Sequence, residues 1–106
     1  MLVKEGHLAV DSDQLCKFCE RWKIEELALF GSALRDDFGP GSDLDFLLRF
    51  GSDAQWDFWQ LGELQDELEG WLGRSVDLVQ VDNLRNPIKR KRILETKQVI
   101  FESRQG

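Results

Sequence analysis

The stretch that decides the fold combines a Gly-Ser pair with an alternating strand that opens on two acidic residues. It reads Phe30-Gly31-Ser32, then ten residues, then Asp43-Leu44-Asp45-Phe46-Leu47-Leu48-Arg49-Phe50. Apolar side chains recur at every second position from Leu44 to Phe50, which predicts a β-strand. Because residues i and i+2 of a strand point to the same face, Asp43 and Asp45 are expected to project together, away from the core.

A third carboxylate, Asp77, interrupts the apolar residues of a second predicted strand, 75–80. Neighbouring carboxylates repel each other, and Mg²⁺ prefers such oxygen ligands together with the phosphates of a substrate. If the two strands are neighbours, Asp77 completes a cluster with Asp43 and Asp45. Such a cluster can hold metal and take the proton from an attacking hydroxyl. The alternative for Asp77 alone is a charge that keeps an edge strand soluble.

The Gly31-Ser32 pair follows a short apolar run and favours phosphate binding. Glycine lets the backbone approach phosphates closely. Ser32, at the start of a short helix, offers its hydroxyl and backbone N–H groups at the positive end of the helix dipole. Arg35 lies one turn further along, where it either contacts a phosphate oxygen or is solvated.

Periodicity and turn residues place the remaining elements in one domain, residues 1–106. Their order, α-β-β-α-β-α, predicts an α+β fold in which a small mixed sheet of three or four strands carries packed helices. The longest helix is expected to place Phe58, Leu61, Leu64, Leu68 and Trp71 on one face. The predicted elements are a helix at about 12–22 capped by Asp11, a strand at 27–30, a short helix from Ser32, a loop at 38–42, a helix at 53–72 with a capping box of Ser52 and Gln55, a helix from Pro87 to about Thr96, and either a strand or a helix end at 99–101.

Charge and hydropathy disfavour two classes of partner. The net charge is −6 and the isoelectric point about 4.7, and an acidic surface repels the phosphate backbone of nucleic acids. No apolar run approaches the roughly 20 residues that a membrane helix needs. The first six residues contain no apolar signal segment. We therefore expect a cytoplasmic protein that contacts neither membranes nor nucleic acids.

Three other features have competing interpretations. Cys16 and Cys19 form a CxxC pair, but they lie inside a predicted helix and the chain has a single His. We therefore expect two small, mostly buried thiols rather than a redox or zinc site. The basic run 89–92 is either the solvated side of a helix or a contact with a partner or nucleotide. Trp56 and Trp59 either join the core or form an interface.

The interval between Gly31-Ser32 and Asp43-Leu44-Asp45 resembles the hallmark of the minimal nucleotidyltransferase (MNT) family. That family shares the DNA polymerase β-like superfold with kanamycin nucleotidyltransferase. The segment 76–79 is similar to the strand that bears the family's third aspartate, and 85–88 resembles the Asn-Pro pair close before a final helix. The resemblance extends from about residue 24 to residue 101 and implies a polymerase β-like nucleotidyltransferase fold.

The resemblance also implies roles for individual residues. Asp36 departs from the family pattern, because relatives commonly carry glycine there. The implied Mg²⁺ ligands and catalytic residues are Asp43, Asp45 and Asp77. The implied contacts of a nucleotide triphosphate are Gly31, Ser32, Arg35 and Ser42.

By the same resemblance, the chain is expected to be an enzyme that transfers AMP from ATP to a hydroxyl and releases pyrophosphate. Small MNT proteins are typically antitoxins encoded with HEPN ribonuclease toxins, which implies a toxin tyrosine as acceptor and a hetero-oligomer, with a homodimer as a further assembly. The chain has no Tyr of its own. Two alternatives stay open: a weakly active or inactive module that neutralises the toxin by masking it, and a small-molecule enzyme of the aminoglycoside-modifying type.

Overall fold

The computed structural model describes residues 2–5, 8–31 and 43–103. In these ranges a four-stranded mixed sheet has the order β5-β4-β3-β6, and a separate hairpin pairs β1 with β2. The strands are β1 Leu2–Glu5, β2 Leu8–Asp11, β3 Ile24–Phe30, β4 Leu44–Phe50, β5 Val76–Gln80 and β6 Gln98–Glu102. The helices are α1 Ser12–Arg21, α2 Phe58–Leu72 and α3 Pro87–Thr96, and a 3₁₀ turn spans Val81–Asn83. The predicted mixed sheet with packed helices is confirmed.

The sheet owes its mixed character to α2. Strand β4 is antiparallel to β3 and parallel to β5, and parallel neighbours need a crossover connection such as a helix. Helix α2 provides that crossover, since it lies between β4 and β5 in the chain. Strand β5 is an edge of the sheet and lies next to β4, the strand at which the acidic pair is located.

Each face of the sheet has its own core. One face packs against α1 and α2, and the other packs against α3 and the 3₁₀ turn. The buried residues of the first core are Val10, Leu15, Phe18, Cys19, Ile24, Leu27, Leu29, Leu44, Phe46, Leu48, Leu64, Leu68 and Val76. Those of the second are Ala28, Phe30, Leu47, Val81 and Ile93. The alternation predicted for β4 is confirmed, because Leu44, Phe46 and Leu48 all belong to the first core.

Helices α1 and α3 form as their sequences predict. The Asp11 side chain caps α1 by accepting a hydrogen bond from the backbone N–H of Asp13. Asn86 caps α3 in the same way, and Pro87 occupies its first turn, where a missing N–H costs nothing. The segment after α3, left open between strand and helix end, is strand β6, which pairs with β3.

Helix α2 begins later than predicted. A capping box of Ser52 and Gln55 with a helix from residue 53 is wrong: the helix starts at Phe58, and its capping box is formed by Asp57 and Gln60. The preceding segment is held elsewhere, because the Trp56 indole N–H donates to the backbone oxygen of Trp22 at 2.8 Å. The prediction that Phe58 joins the core face is also wrong, since its side chain is 80% exposed.

One buried ion pair ties β3 to the end of α3. Glu26 is a buried charged residue, 8% exposed, and its carboxylate pairs with the ammonium of Lys97. The guanidinium of Arg49, on the neighbouring strand, lies 3.9 Å from the same carboxylate. A buried charge needs such partners.

Among the described residues, none of the helices is both long and apolar enough to span a membrane.

Candidate active site

Asp45 and Asp77 lie side by side on adjacent strands. They are register partners in the parallel pair of β4 and β5, where neighbouring strands are about 4.8 Å apart. Residues paired in this register point to the same face of the sheet. Asp45 is half-buried and Asp77 is exposed. The structure therefore brings together two of the three predicted carboxylates, as a site at this end of the sheet requires.

Asp43 immediately precedes strand β4. It is exposed and directly precedes Leu44, whose N–H donates to the backbone oxygen of Ser75 at 3.0 Å. It lies two residues before Asp45 and just outside the strand, so the strand period does not fix the direction of its side chain. All three aspartates occupy positions at the end of the sheet where β4 and β5 begin, and the register aligns two of them, Asp45 and Asp77.

Apolar residues of the opposite face hold this arrangement. Leu44 and Phe46, which flank Asp45, are fully buried, and Val76, which precedes Asp77, is 4% exposed. A register slip by one residue would exchange the two faces and bury the aspartates. Core packing therefore directs both carboxylates outward.

Two polar residues of α2, not expected from the sequence, fix the backbone beside Asp77. The Glu69 carboxylate accepts a hydrogen bond from the N–H of Val76 at 2.8 Å. The Gln65 side-chain amide donates to the carbonyl of Val76 at 3.0 Å. They satisfy backbone groups of an edge strand that would otherwise need water. Their helical spacing, i and i+4, was the only sequence signal for a shared role.

Gly31 lies against the Asp45 carboxylate. Strand β3 ends at Phe30, the register partner of Asp45, and Gly31 follows with a φ of 64°. A Cβ at this position would lie 2.6 Å from Oδ2 of Asp45, closer than any carbon and oxygen can pack without movement. Both the left-handed backbone and the close approach therefore require glycine. The glycine of the predicted phosphate-binding turn is thus adjacent to the acidic pair.

The remaining predicted site residues lie outside the described part of the chain. Ser32, Arg35 and Ser42, and the departing Asp36, fall in residues 32–42. Their contact with a nucleotide stays a prediction. So does the short helix that Ser32 was expected to start.

The donor set of the acidic site fits Mg²⁺ in its chemistry. Three carboxylates supply hard oxygen ligands of the kind this ion selects. Among residues 2–5, 8–31 and 43–103, however, no three or more Asp, Glu, His or Cys residues are grouped closely enough to hold a metal ion. Coordination of Mg²⁺ by Asp43, Asp45 and Asp77 together therefore stays a prediction, in which substrate phosphates would complete the ligand set.

The two cysteines are free thiols, as predicted. Cys19 is buried, and this burial raises its thiol pKa above the usual 9.0. Cys16 is half-buried and donates a hydrogen bond to Glu20 over 3.4 Å, which raises the Cys16 pKa as well. Thiols with raised pKa values are poor nucleophiles near neutral pH.

The basic run of α3 is partly structural. The Arg90 guanidinium donates to the carbonyls of Val81 and Leu84 at 2.9 and 3.4 Å, so it holds the turn that follows β5. The Lys91 ammonium lies 3.9 Å from the carboxylate of Glu95, one helical turn away. Lys89, Lys91 and Arg92 are exposed. The solvated-helix interpretation therefore describes three of the four basic residues, whereas Arg90 is half-buried.

Comparison with known proteins identifies the family. The model of the nucleotidyltransferase domain family matches residues 12–105. The chain belongs to this family. This nucleotidyltransferase is 37% identical over 76 residues to a protein of Methanocaldococcus jannaschii provisionally named a protein adenylyltransferase, with 72% of this chain and 76% of the relative covered. It is 34% identical over 71 residues to the protein adenylyltransferase MntA of Thermococcus cleftensis, with 67% and 70% covered.

Solved structures confirm the resemblance to minimal nucleotidyltransferases. A structure provisionally described as a minimal nucleotidyltransferase superposes with a TM-score of 0.66 at 29% identity, over 84% of this chain and 86% of the other. A chain from the complex of a tri-AMPylated Shewanella oneidensis HEPN toxin with its MNT antitoxin superposes with a TM-score of 0.60 at 20% identity, over 89% and 71%. At that identity the second likeness shows the fold alone.

Proposed function

We propose that this nucleotidyltransferase is an antitoxin that transfers AMP from ATP, with Mg²⁺, to a tyrosine hydroxyl of a partner HEPN-type ribonuclease toxin. The observation that carries the proposal is the pairing of Asp45 with Asp77 on adjacent strands, with Gly31 directly beside Asp45. This geometry juxtaposes a carboxylate pair and a glycine turn. Phosphoryl transfer needs both, because catalysis there consists mainly of positioning and charge stabilisation.

Each group of the site has a defined task in this reaction. Asp77 is the exposed residue of β5, so an acceptor can reach it. In the reaction it takes the proton from the tyrosine hydroxyl. The hydroxyl oxygen then attacks the α-phosphorus of ATP, the bond between the α-phosphorus and the bridging oxygen breaks, and pyrophosphate leaves. Gly31 lets the backbone approach the triphosphate. Asp43 and Asp45 would hold Mg²⁺, which when bound neutralises the charge of the phosphates.

A protein acceptor is supported by composition and by the relatives. The chain contains no Tyr, so a tyrosine acceptor must come from another molecule. The relatives with the highest identities described above are named protein adenylyltransferases, and the fold recurs in a complex with an AMPylated HEPN toxin. A net charge of −6 suits a partner with a basic, RNA-cleaving surface.

The proposal is tested by incubating the purified chain with a HEPN-type toxin and ATP labelled at the α-phosphate. We expect label on the toxin with the wild type. Asp45→Asn and Asp77→Asn should each lower the transfer rate at least about 100-fold, as expected for loss of a general base or a charge-stabilising group. Asp82→Asn is the matched control, because Asp82 is an exposed carboxylate on the 3₁₀ turn beyond β5.

A double substitution separates transfer from masking. If the double substitution Asp43→Ala/Asp45→Ala still neutralises the toxin in cells and no label is ever transferred, the protein acts by masking and the proposed enzymatic function is wrong. Labelling of an aminoglycoside instead of the toxin would assign the chain to the small-molecule enzymes.

A further inference from the structure

The start of α2 exposes two large aromatic side chains that the fold does not use. Phe58 is 80% exposed and Trp59 is 77% exposed. Their rings pack edge to face with centroids 5.8 Å apart. By contrast, Trp22 and Trp56 pack against each other within the folded chain. Exposed adjacent aromatics of this size commonly mark interaction surfaces.

A groove adjoins these aromatic side chains. It has a volume of about 230 Å³ and lies between α2 and the edge strand β5. Phe58, Leu61 and Gly62 line it from the helix, and Leu78 and Gln80 line it from the strand. The groove offers an apolar recess next to a pair of aromatic anchors, which is the usual composition of an interface centre.

Gly62 widens this surface where the helix itself would gain from a side chain. A glycine destabilises a helix interior relative to alanine. A Cβ added at Gly62 would meet no atom within 4 Å, so no described neighbour demands glycine. The residue is exposed one turn after Phe58 and Trp59. Its missing side chain leaves room for the backbone of another molecule.

The charge of this surface indicates what kind of molecule binds there. Asp57, Glu63 and Asp66 are exposed around the aromatic pair, and α2 contains neither Lys nor Arg. A symmetric contact between two copies would place these carboxylates against their own copies, which is unfavourable. The surface is therefore complementary to a different chain with basic residues around an apolar recess or protrusion.

We infer that the outer face of α2, formed by Phe58, Trp59, Gly62, Glu63 and Asp66, is the docking surface for a basic face of the toxin. The identity of this partner rests on the proposed function. The docking surface is separate from the acidic site, because α2 packs through Leu64 and Leu68 on the sheet face opposite to Asp45.

The docking surface also lies at the far end of the sheet. The helix follows the end of β4 and runs back to the start of β5, where Gln65 and Glu69 bind the backbone of Val76. The helical turns between Phe58 and these two residues separate it from the acidic end by roughly 10–17 Å. Docking there leaves the acidic site open to the acceptor residue. Substitutions on this face are therefore expected to weaken toxin binding without altering the chemistry at Asp45 and Asp77.

The inference is tested by measuring the Kd between purified HEPN-type toxin and variants of the chain. Trp59→Ala and Glu63→Lys are each expected to raise the Kd at least about tenfold. Ile88→Ala is the matched control, because Ile88 is equally exposed, 80%, but lies on α3; its Kd should stay at the wild-type value. Gly62→Ala should raise the thermal midpoint of the free chain and yet weaken binding, a combination that a purely structural role cannot produce.

The possible outcomes distinguish an error in the proposed partner from an error in the docking surface alone. If the wild type does not bind the toxin, the proposed partner is wrong and the inference fails with it. If the wild type binds and Trp59→Ala, Glu63→Lys and Gly62→Ala all bind as tightly, the docking surface alone is wrong. If sedimentation shows a dimer of the isolated chain that Trp59→Ala dissociates, the surface belongs to a second copy and the inference is overturned.

Discussion

Asp45 and Asp77 show how a site residue depends on neighbours that point the other way. Each aspartate is preceded by a buried apolar residue, Leu44 or Val76. Those residues anchor the strands from the opposite face, and the parallel register aligns the two carboxylates. The alternation that directs Asp45 away from Leu44 and Phe46 could be read from the sequence. Its pairing with Asp77 could be predicted only on the condition that the two strands are neighbours, or from the family resemblance, because strand pairing is a long-range contact.

At the same scale, Gly31→Ala is expected to lower AMP transfer at least about tenfold. The substitution forces a left-handed alanine, which costs about 1–2 kcal/mol, and its Cβ would displace the Asp45 carboxylate, 2.6 Å away. Gly73→Ala is the matched control: Gly73 has a φ of 69°, but a Cβ there meets nothing within 4 Å. Both variants should lose similar stability by chemical denaturation. Equal loss of activity in both would show that strain, and not the contact with Asp45, is responsible.

Helix α2 begins at Phe58 instead of at residue 53 as predicted. Ser52 and Gln55 have the spacing of a capping box, but so do Asp57 and Gln60, and the sequence alone does not rank the two pairs. The structure does, because Trp56 is bound to Trp22, 34 residues away in the chain, and keeps the preceding segment outside the helix. Phe58 is consequently displaced from the core to the surface.

Asp57→Ala is therefore expected to lower the free energy of unfolding by about 1 kcal/mol, since it removes the hydrogen bond from the Gln60 N–H and one half of the capping box. Ser52→Ala should change it by much less, because Ser52 does not cap a helix. Urea denaturation of the two variants and the wild type measures the difference. If Ser52→Ala lowered the free energy of unfolding more than Asp57→Ala does, Ser52 and not Asp57 would be the residue that caps α2.

For the whole molecule, burial of Cys19 makes stability depend on pH. The folded chain keeps a proton on Cys19 because burial raises the pKa of this thiol, whereas the unfolded chain releases it above about 9.0. The folded state then binds more protons, so this contribution is constant below pH 9 and the free energy of unfolding falls above it, by about 1.4 kcal/mol per pH unit.

Denaturation midpoints measured between pH 7 and pH 10 test this dependence. Cys19→Ala serves as the reference, because other groups also titrate in this range. The wild type should lose more stability than the variant above pH 9. Parallel curves for the two proteins over the whole range would contradict a buried, protonated thiol.

The sequence alone determined the features that depend on neighbouring residues: the strand that opens with the acidic pair, the Asn-Pro start of α3, and the glycine turn after β3. These follow from side-chain periodicity and from backbone preferences, which act over a few residues. The resemblance extended this reading to the correct fold. The hairpin of β1 and β2 was missed, because it lacks an alternating apolar pattern strong enough to stand out.

Only the tertiary structure decided the rest. It set Asp77 beside Asp45, bound Gln65 and Glu69 to the backbone of the edge strand, and left Phe58 and Trp59 in solvent. Each of these outcomes depends on contacts between segments far apart in the chain. The energies of such contacts arise only when the core closes and all elements compete for the same buried surface.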